Sequence, residues 1–122
     1  MVKIKRLLKS FKYSLKGLVK VFGEEQNFRI HTLAMVLVLV LAWYLKVTIT
    51  EFIILILLIG LVLILEIVNS IVERLLDLIK PRIHNYVEDI KDMAAAIVFI
   101  GAVISVIIGL VIFLPYLVNL IK

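Results

Sequence analysis

The chain has 122 residues, of which 64% are hydrophobic, and its mean hydropathy is +1.19. This composition excludes an ordinary water-soluble domain, because too few polar side chains remain to cover the apolar surface. The absence of cysteine excludes disulfides, thiolate metal sites and cysteine nucleophiles. The net charge of +5 comes with no nucleic-acid-binding motif. We therefore attribute it to membrane topology and to attraction between the chain and anionic lipid.

Residues 4–22 are predicted to form an amphipathic helix at the membrane surface. One face of this helix is apolar and the other is cationic, which is typical of helices that lie in the membrane interface. The apolar face consists of Ile4, Leu7, Leu8, Phe11, Leu15, Leu18 and Phe22, and the cationic face of Lys5, Lys9, Lys12, Lys16 and Lys20. We expect Gly23 to end the helix.

Three later segments are long and apolar enough to span a bilayer, which requires about 20 residues per helix. They are residues 31–49, residues 52–72 and residues 93–118. The second helix is expected to start from an N-cap at Thr50 and to continue to residue 79, where Lys80 and Pro81 stop it. The chain is therefore predicted to be an all-α integral membrane protein with a single domain, residues 1–122.

The distribution of positive charge predicts the orientation of the spans. Eight of the 14 Lys and Arg residues precede the first span, and four more lie between the second and third spans. Cytoplasmic loops carry such an excess of positive charge. The N-terminus and the second loop are therefore expected in the cytoplasm, and the C-terminus outside.

A stripe of polar residues in the second span is the candidate functional site. Glu66, Asn69, Glu73 and Asp77 fall within an arc of roughly 80° on an α-helix. Glu66 lies roughly 21 Å along the helix from Phe52, well inside the hydrocarbon core. A carboxylate at this depth is costly unless it meets a partner or a wet cavity, so it indicates a functional site.

The stripe could contact both a lipid and a cytoplasmic reactant, which suits transfer of a polar group to a membrane alcohol. Carboxylates and lysines at the cytoplasmic side are the groups that hold a metal–nucleotide complex. The chain has no P-loop, no dinucleotide-binding glycine motif and no protein-kinase motif. The residues alone therefore predict a polar intramembrane site without a defined reaction.

The run at 66–77, EIVNSIVERLLD, resembles the signature E-x-x-N-[ST]-x-x-E-x-x-x-D of small prokaryotic lipid kinases, the diacylglycerol kinase and undecaprenol kinase family. Further stretches resemble the family in order and spacing: FKYSLKG at 11–17, EEQNFRIH at 24–31, His84, and KDMAAA at 91–96. The form of the 24–31 stretch favours the undecaprenol kinase branch of Gram-positive bacteria. The resemblance implies a homotrimer with composite sites between protomers, and a three-helix protomer could hardly shield so long a polar stripe from lipid.

The resemblance also implies roles for individual residues. Glu66 would be the general base on the lipid hydroxyl, Asn69 would orient phosphate or substrate, and Lys91 would contact the transferred phosphoryl group. Glu25 and Glu73 would hold the Mg²⁺ that accompanies ATP. The nucleotide site would be formed by Arg6, Tyr13, Gly17, Glu73, Lys91 and Asp92.

The implied reaction is ATP- and Mg²⁺-dependent phosphorylation of undecaprenol at the plasma membrane, with diacylglycerol as the alternative substrate. A proton-coupled transporter that uses Glu66 is an alternative from another class, but residues 52–65 on the outer side carry no polar path. A non-catalytic assembly subunit would leave Glu25, Glu73 and Lys91 unexplained as a group. Asp77 could equally be a solvated helix end.

Overall fold

The computed structural model describes residues 1–79 and 84–122, and this part of the chain is helical without strands. The four helices are α1 (Ile4–Glu24), α2 (Gln26–Leu45), α3 (Ile49–Asp77) and α4 (His84–Ile121). The predicted all-α class is confirmed. The stop expected at Lys80 and Pro81 lies outside the described residues.

The amphipathic helix α1 is longer than its sequence predicts. It continues through Gly23 to Glu24, and the chain turns only at Glu25, which has extended backbone angles (φ −107°, ψ 108°). The expectation that Gly23 ends the helix was wrong, since glycine weakens a helix without preventing it. No residue of α1 is buried, so both its apolar and its cationic face are open to surroundings outside the protomer.

The first span, α2, begins five residues before the predicted start and ends four residues before the predicted end. Polar residues after Glu25 continue the helix, and a boundary based on hydropathy misses them. At the other end Lys46 adopts the left-handed conformation (φ 55°, ψ 51°), and its N–H bonds the carbonyl groups of Ala42 and Trp43. A left-handed residue at this position terminates a helix.

Helix α3 begins with a capping box at Thr48, not at the predicted N-cap Thr50. The N–H of Glu51 donates to the Thr48 hydroxyl at 3.2 Å, and the N–H of Thr48 donates to the Glu51 carboxylate at 3.0 Å. The T-x-x-E spacing of this pair is the signature of a capping box. The hydroxyl of Tyr116 on α4 also donates to Glu51, which joins α3 and α4 at this end.

The most extensive packing is between α3 and α4, and α2 packs against α3. A buried cluster near the Thr48 end consists of Ala42, Leu55, Ile112 and Phe113. Nearer the middle of α3, a Cβ atom added at Gly101 would lie 2.8 Å from Cδ1 of Leu65. Glycine therefore allows α4 to approach α3 beside Glu66.

Large apolar side chains on α2, α3 and α4 are exposed along most of each helix, among them Leu37, Leu57 and Val111. Such exposure suits hydrocarbon or further protein and would be unfavourable in water. All three helices are long and apolar enough to cross a membrane. The chain is therefore an integral membrane protein.

Candidate active site

The polar stripe of α3 runs from the buried middle of the helix to its exposed end. Glu66 is 7% exposed, Asn69 and Glu73 are half-buried, and Asp77 is exposed. Ser70, which the sequence analysis did not single out, is also buried on this side of α3.

The Glu66 carboxylate contacts a histidine of the neighbouring span. Its Oε1 lies 2.7 Å from Nδ1 of His31 on α2. The two atoms are close, but their alignment is not that of a hydrogen bond, so Nδ1 of His31 has no hydrogen-bond partner.

A second buried polar atom without a hydrogen-bond partner is Oδ1 of Asn69, one turn from Glu66. Buried polar groups are rarely left unpaired in native proteins, and each exception requires an explanation. In the part of the chain that the structure describes, one of these two atoms faces the Glu66 carboxylate and the other lies one turn along the same helix. The carbonyl oxygen of Asn69 can therefore accept a hydrogen bond from a further polar group in this cluster of Glu66, His31 and Asn69.

An apolar cavity of about 420 Å³ lies between α2, α3 and α4. Of the cluster, His31 lies on the cavity wall, and the remaining lining is apolar except for Ser105. Pockets of a few hundred Å³ with a small number of polar groups are typical of small-molecule sites. The cavity and the cluster together suit an amphiphile with a polar end near Glu66 and a hydrocarbon chain along the spans.

At the far end of the stripe, Lys91 on α4 meets the acidic residues of α3. Its Nζ lies 2.5 Å from Oδ1 of Asp77, and Glu73 and Glu88 are near enough to attract the same ammonium group. Asp92, the next residue, is exposed. The structure thus brings together three of the residues that the sequence singled out, namely Lys91, Glu73 and Asp77.

Glu25 lies opposite a cation of α3, Arg74. Arg74 donates to Glu24 at 2.5 Å and lies 3.6 Å from Glu25 Oε1. Arg74 was not among the predicted site residues. Its position within the signature, next to Glu73, gave no indication of a partner that is 50 residues away in sequence.

The fit of Mg²⁺ depends on oxygen donors, and Glu25 and Glu73 supply carboxylates of the right kind. Among the described residues of a single chain, no group of three His, Asp or Glu side chains could hold a metal ion. Kinase Mg²⁺ is commonly bound by one or two carboxylates together with phosphate oxygens. The donor chemistry therefore fits, provided that the nucleotide completes the coordination.

Of the three α1 residues predicted to bind the nucleotide, Gly17 lies against α3, whereas Arg6 and Tyr13 do not. Gly17 lines a cavity of about 520 Å³ between α1 and α3, which also contains Lys20, Ser70 and Arg74. Arg6 and Tyr13 are exposed on α1, and among the described residues no side-chain hydrogen bond or ion pair joins either of them to α3. A single protomer therefore brings Gly17 to α3 beside Ser70 and Arg74, without Arg6 and Tyr13.

The start of α2 is fixed by contacts that the sequence did not predict. Arg29 donates from Nη1 to the carbonyl groups of Phe22 and Gly23, at 2.9 and 2.8 Å. The hydroxyl of Thr32 donates to the carbonyl of Phe28 at 2.7 Å, and Phe28 itself is buried. The Arg29 contacts link the start of α2 to the end of α1, and with it the height of His31.

Comparison with known proteins identifies the chain's relatives. The family model for prokaryotic diacylglycerol kinase matches residues 12–113. The undecaprenol kinase of Bacillus subtilis is 40% identical over 114 residues, which cover 93% of each chain. The diacylglycerol kinase of Escherichia coli K12 is 36% identical over 102 residues, which cover 84% of each chain. The diacylglycerol kinase of Synechocystis is 36% identical over 115 residues, which cover 93% of this chain and 66% of the Synechocystis protein. The chain belongs to the prokaryotic diacylglycerol kinase family and is a lipid kinase.

Proposed function

We propose that this protein transfers the γ-phosphoryl group of ATP to the hydroxyl group of undecaprenol. The observation that carries the proposal is the buried Glu66 carboxylate, which contacts His31 on the wall of an apolar cavity and lies one turn from the unpaired Oδ1 of Asn69. A lipid alcohol supplies what both parts require, a hydroxyl for the polar cluster and a hydrocarbon chain for the cavity. Undecaprenol is favoured by the undecaprenol kinase relative and by the stretch EEQNFRIH at 24–31.

Glu66 is the general base in this proposal. As the lipid oxygen attacks the γ-phosphorus, its O–H bond breaks and the proton passes to the Glu66 carboxylate. The new O–P bond forms while the bond between the γ-phosphorus and the bridging oxygen breaks, and that electron pair leaves with ADP. Asn69 orients the phosphoryl group or the substrate, and Lys91 stabilises the charge on the transferred group.

The nucleotide is expected at the cytoplasmic end of the stripe. Lys20 and Arg74 face the cavity beside Gly17, so cations are available there for phosphate oxygens. We assign nucleotide contacts to Arg6, Tyr13, Gly17, Glu73, Lys91 and Asp92. Glu25 and Glu73 would hold Mg²⁺, which neutralises phosphate charge when it is bound.

We further propose that three copies assemble, with α1 in the cytoplasmic interface of the membrane. The exposed apolar faces of the spans and the exposure of Arg6 and Tyr13 support composite sites, to which a second protomer adds its α1. The cationic face of α1 would meet anionic head groups. The N-terminus is then cytoplasmic and the C-terminus lies outside, as the charge distribution predicts.

Diacylglycerol is the second candidate substrate, because the relatives from Escherichia coli and Synechocystis are diacylglycerol kinases. The transporter alternative loses its support, since the family is one of kinases. The choice between the two lipids is a question of relative rate and can be measured directly.

The test uses purified protein in mixed micelles with Mg²⁺, labelled ATP and either undecaprenol or diacylglycerol. We expect label in undecaprenol at a higher rate than in diacylglycerol. Glu66→Gln should lower the rate about a hundredfold or more, the loss typical of a general base. The matched control is Glu51→Gln, which alters a glutamate at the other end of the same helix. Equal activity of Glu66→Gln and the unaltered protein would contradict the proposal, as would the absence of label in both lipids.

A further inference from the structure

His31 contacts the proposed general base, Glu66, but has no role in the reaction proposed above. Its Nδ1 is 2.7 Å from Oε1 of Glu66, and the contact joins two different spans. The Glu66 side chain is 8% exposed and that of His31 is 31% exposed. The histidine is therefore the more accessible member of the pair, and it also lines the apolar cavity.

The backbone near His31 is tied to the end of α1. Arg29, two residues before His31, donates to two carbonyl groups there. Catalytic groups are effective when neighbouring contacts hold their position. This anchor fixes the height at which α2 presents the imidazole to Glu66.

We propose that His31 is a positioning residue for Glu66. The inference rests on the proposed function of Glu66 as the general base. The Nδ1–H group of His31 donates to Oε1 and turns the carboxylate so that its second oxygen, Oε2, meets the lipid hydroxyl. The present contact is short but poorly aligned, and catalytic hydrogen bonds often become aligned only when substrate is bound.

A histidine that merely compensates a buried carboxylate would affect stability more than rate. A histidine that aims the reacting oxygen affects the rate of transfer, because a displacement of about 1 Å at a reacting group can reduce it about a hundredfold. These two roles can be separated. The first predicts a loss of folded protein, and the second predicts a fall in kcat at unchanged KM for ATP.

The experiment compares His31→Leu, His31→Asn and the control Thr32→Val in mixed micelles with undecaprenol and labelled ATP. Leucine removes the donor, whereas the amide nitrogen of asparagine lies close to the position of Nδ1. We expect His31→Leu to lower kcat about a hundredfold without changing KM for ATP, and His31→Asn to recover most of that loss. Thr32→Val should keep kcat within about twofold, since it removes only a local hydroxyl contact.

Three results would overturn the inference while the proposed function stands: His31→Leu keeping its kcat, His31→Asn falling as far as His31→Leu, or the change appearing only in KM for ATP. Unaltered protein that phosphorylates neither lipid would instead overturn the proposed function. Size-exclusion chromatography and thermal unfolding establish that each variant is folded. Should His31→Leu fail to fold, His31→Ala replaces it in the same comparison with His31→Asn.

Discussion

Nζ of Lys91 lies 2.5 Å from Oδ1 of Asp77, and this contact joins α4 to the last turn of α3. The pair closes the Asp77 end of the polar stripe, and the lysine is its more buried member, with 20% of its side chain exposed against 59% for Asp77. An ammonium group held in this position can exchange a carboxylate oxygen for a phosphate oxygen.

We expect Lys91→Met to lower kcat/KM for ATP about a hundredfold or more, because a donor that stabilises transition-state charge is lost. Asp77→Asn retains the cation and removes only its exposed partner, so KM for ATP should change by less than about fivefold. Steady-state phosphorylation of undecaprenol measures both. If Asp77→Asn lowered kcat/KM for ATP as far as Lys91→Met does, Asp77 itself would belong to the nucleotide site.

The close approach at Gly101 predicts a dependence on side-chain size. A Cβ atom there would meet Cδ1 of Leu65 at 2.8 Å, but that atom is the end of a flexible side chain and can move. Gly101→Ala should therefore be nearly neutral, whereas Gly101→Leu should reduce the free energy of unfolding by about 1–3 kcal/mol through overpacking.

Thermal or denaturant unfolding in detergent measures this difference. Gly109→Ala on the same helix is the control, since nothing lies within 4 Å of an added Cβ there. Equal stability of Gly101→Leu and Gly101→Ala would show that α3 and α4 are packed more loosely at this point.

Sequence could predict the spans because apolar length is a local property that the bilayer itself requires. The ends of the helices were less predictable. Hydropathy placed the start of α2 at residue 31, although polar residues from Gln26 onwards are already helical. Thr50 was chosen as the N-cap of α3, whereas Thr48 alone has the spacing to Glu51 that a capping box requires.

The two threonines allow a matched test of that cap. Thr48→Ala removes the acceptor for the N–H of Glu51 and should cost about 1 kcal/mol of stability. Thr50→Ala, two residues further on, should be within about 0.5 kcal/mol of the unaltered protein, as exposed sites usually are. Unfolding in detergent measures both. A greater loss with Thr50→Ala would contradict the observed cap.

The sequence predicts which site residues share a face of α3, but it does not predict which side chains meet between helices. The arc from Glu66 to Asp77 follows from helical geometry alone. The contacts of Glu66 with His31 and of Glu25 with Arg74 depend on the rotation and height of α2 against α3, which no local pattern contains. A histidine inside the first span was a usable signal, since a polar side chain at membrane depth needs a partner.

Gly109 offers a test of whether the lipid chain occupies the apolar cavity. This glycine lines the cavity between the three spans, and a Cβ atom added to it meets nothing within 4 Å. Gly109→Leu should therefore fold and fill part of the cavity. We expect it to lower kcat/KM for undecaprenol by about tenfold or more, because a pocket discriminates even single methylene groups. KM for ATP should be unchanged, since the nucleotide is expected at the far end of the stripe.

Gly60→Leu is the matched control for this substitution. Gly60 is also a helical glycine with nothing within 4 Å of an added Cβ, but it lies outside the cavity lining. Initial rates at varied lipid and at varied ATP separate the two substrates. If Gly109→Leu and Gly60→Leu behave alike towards undecaprenol, the hydrocarbon chain of the substrate lies elsewhere. The polar cluster at Glu66 would then receive the hydroxyl from another side of α3.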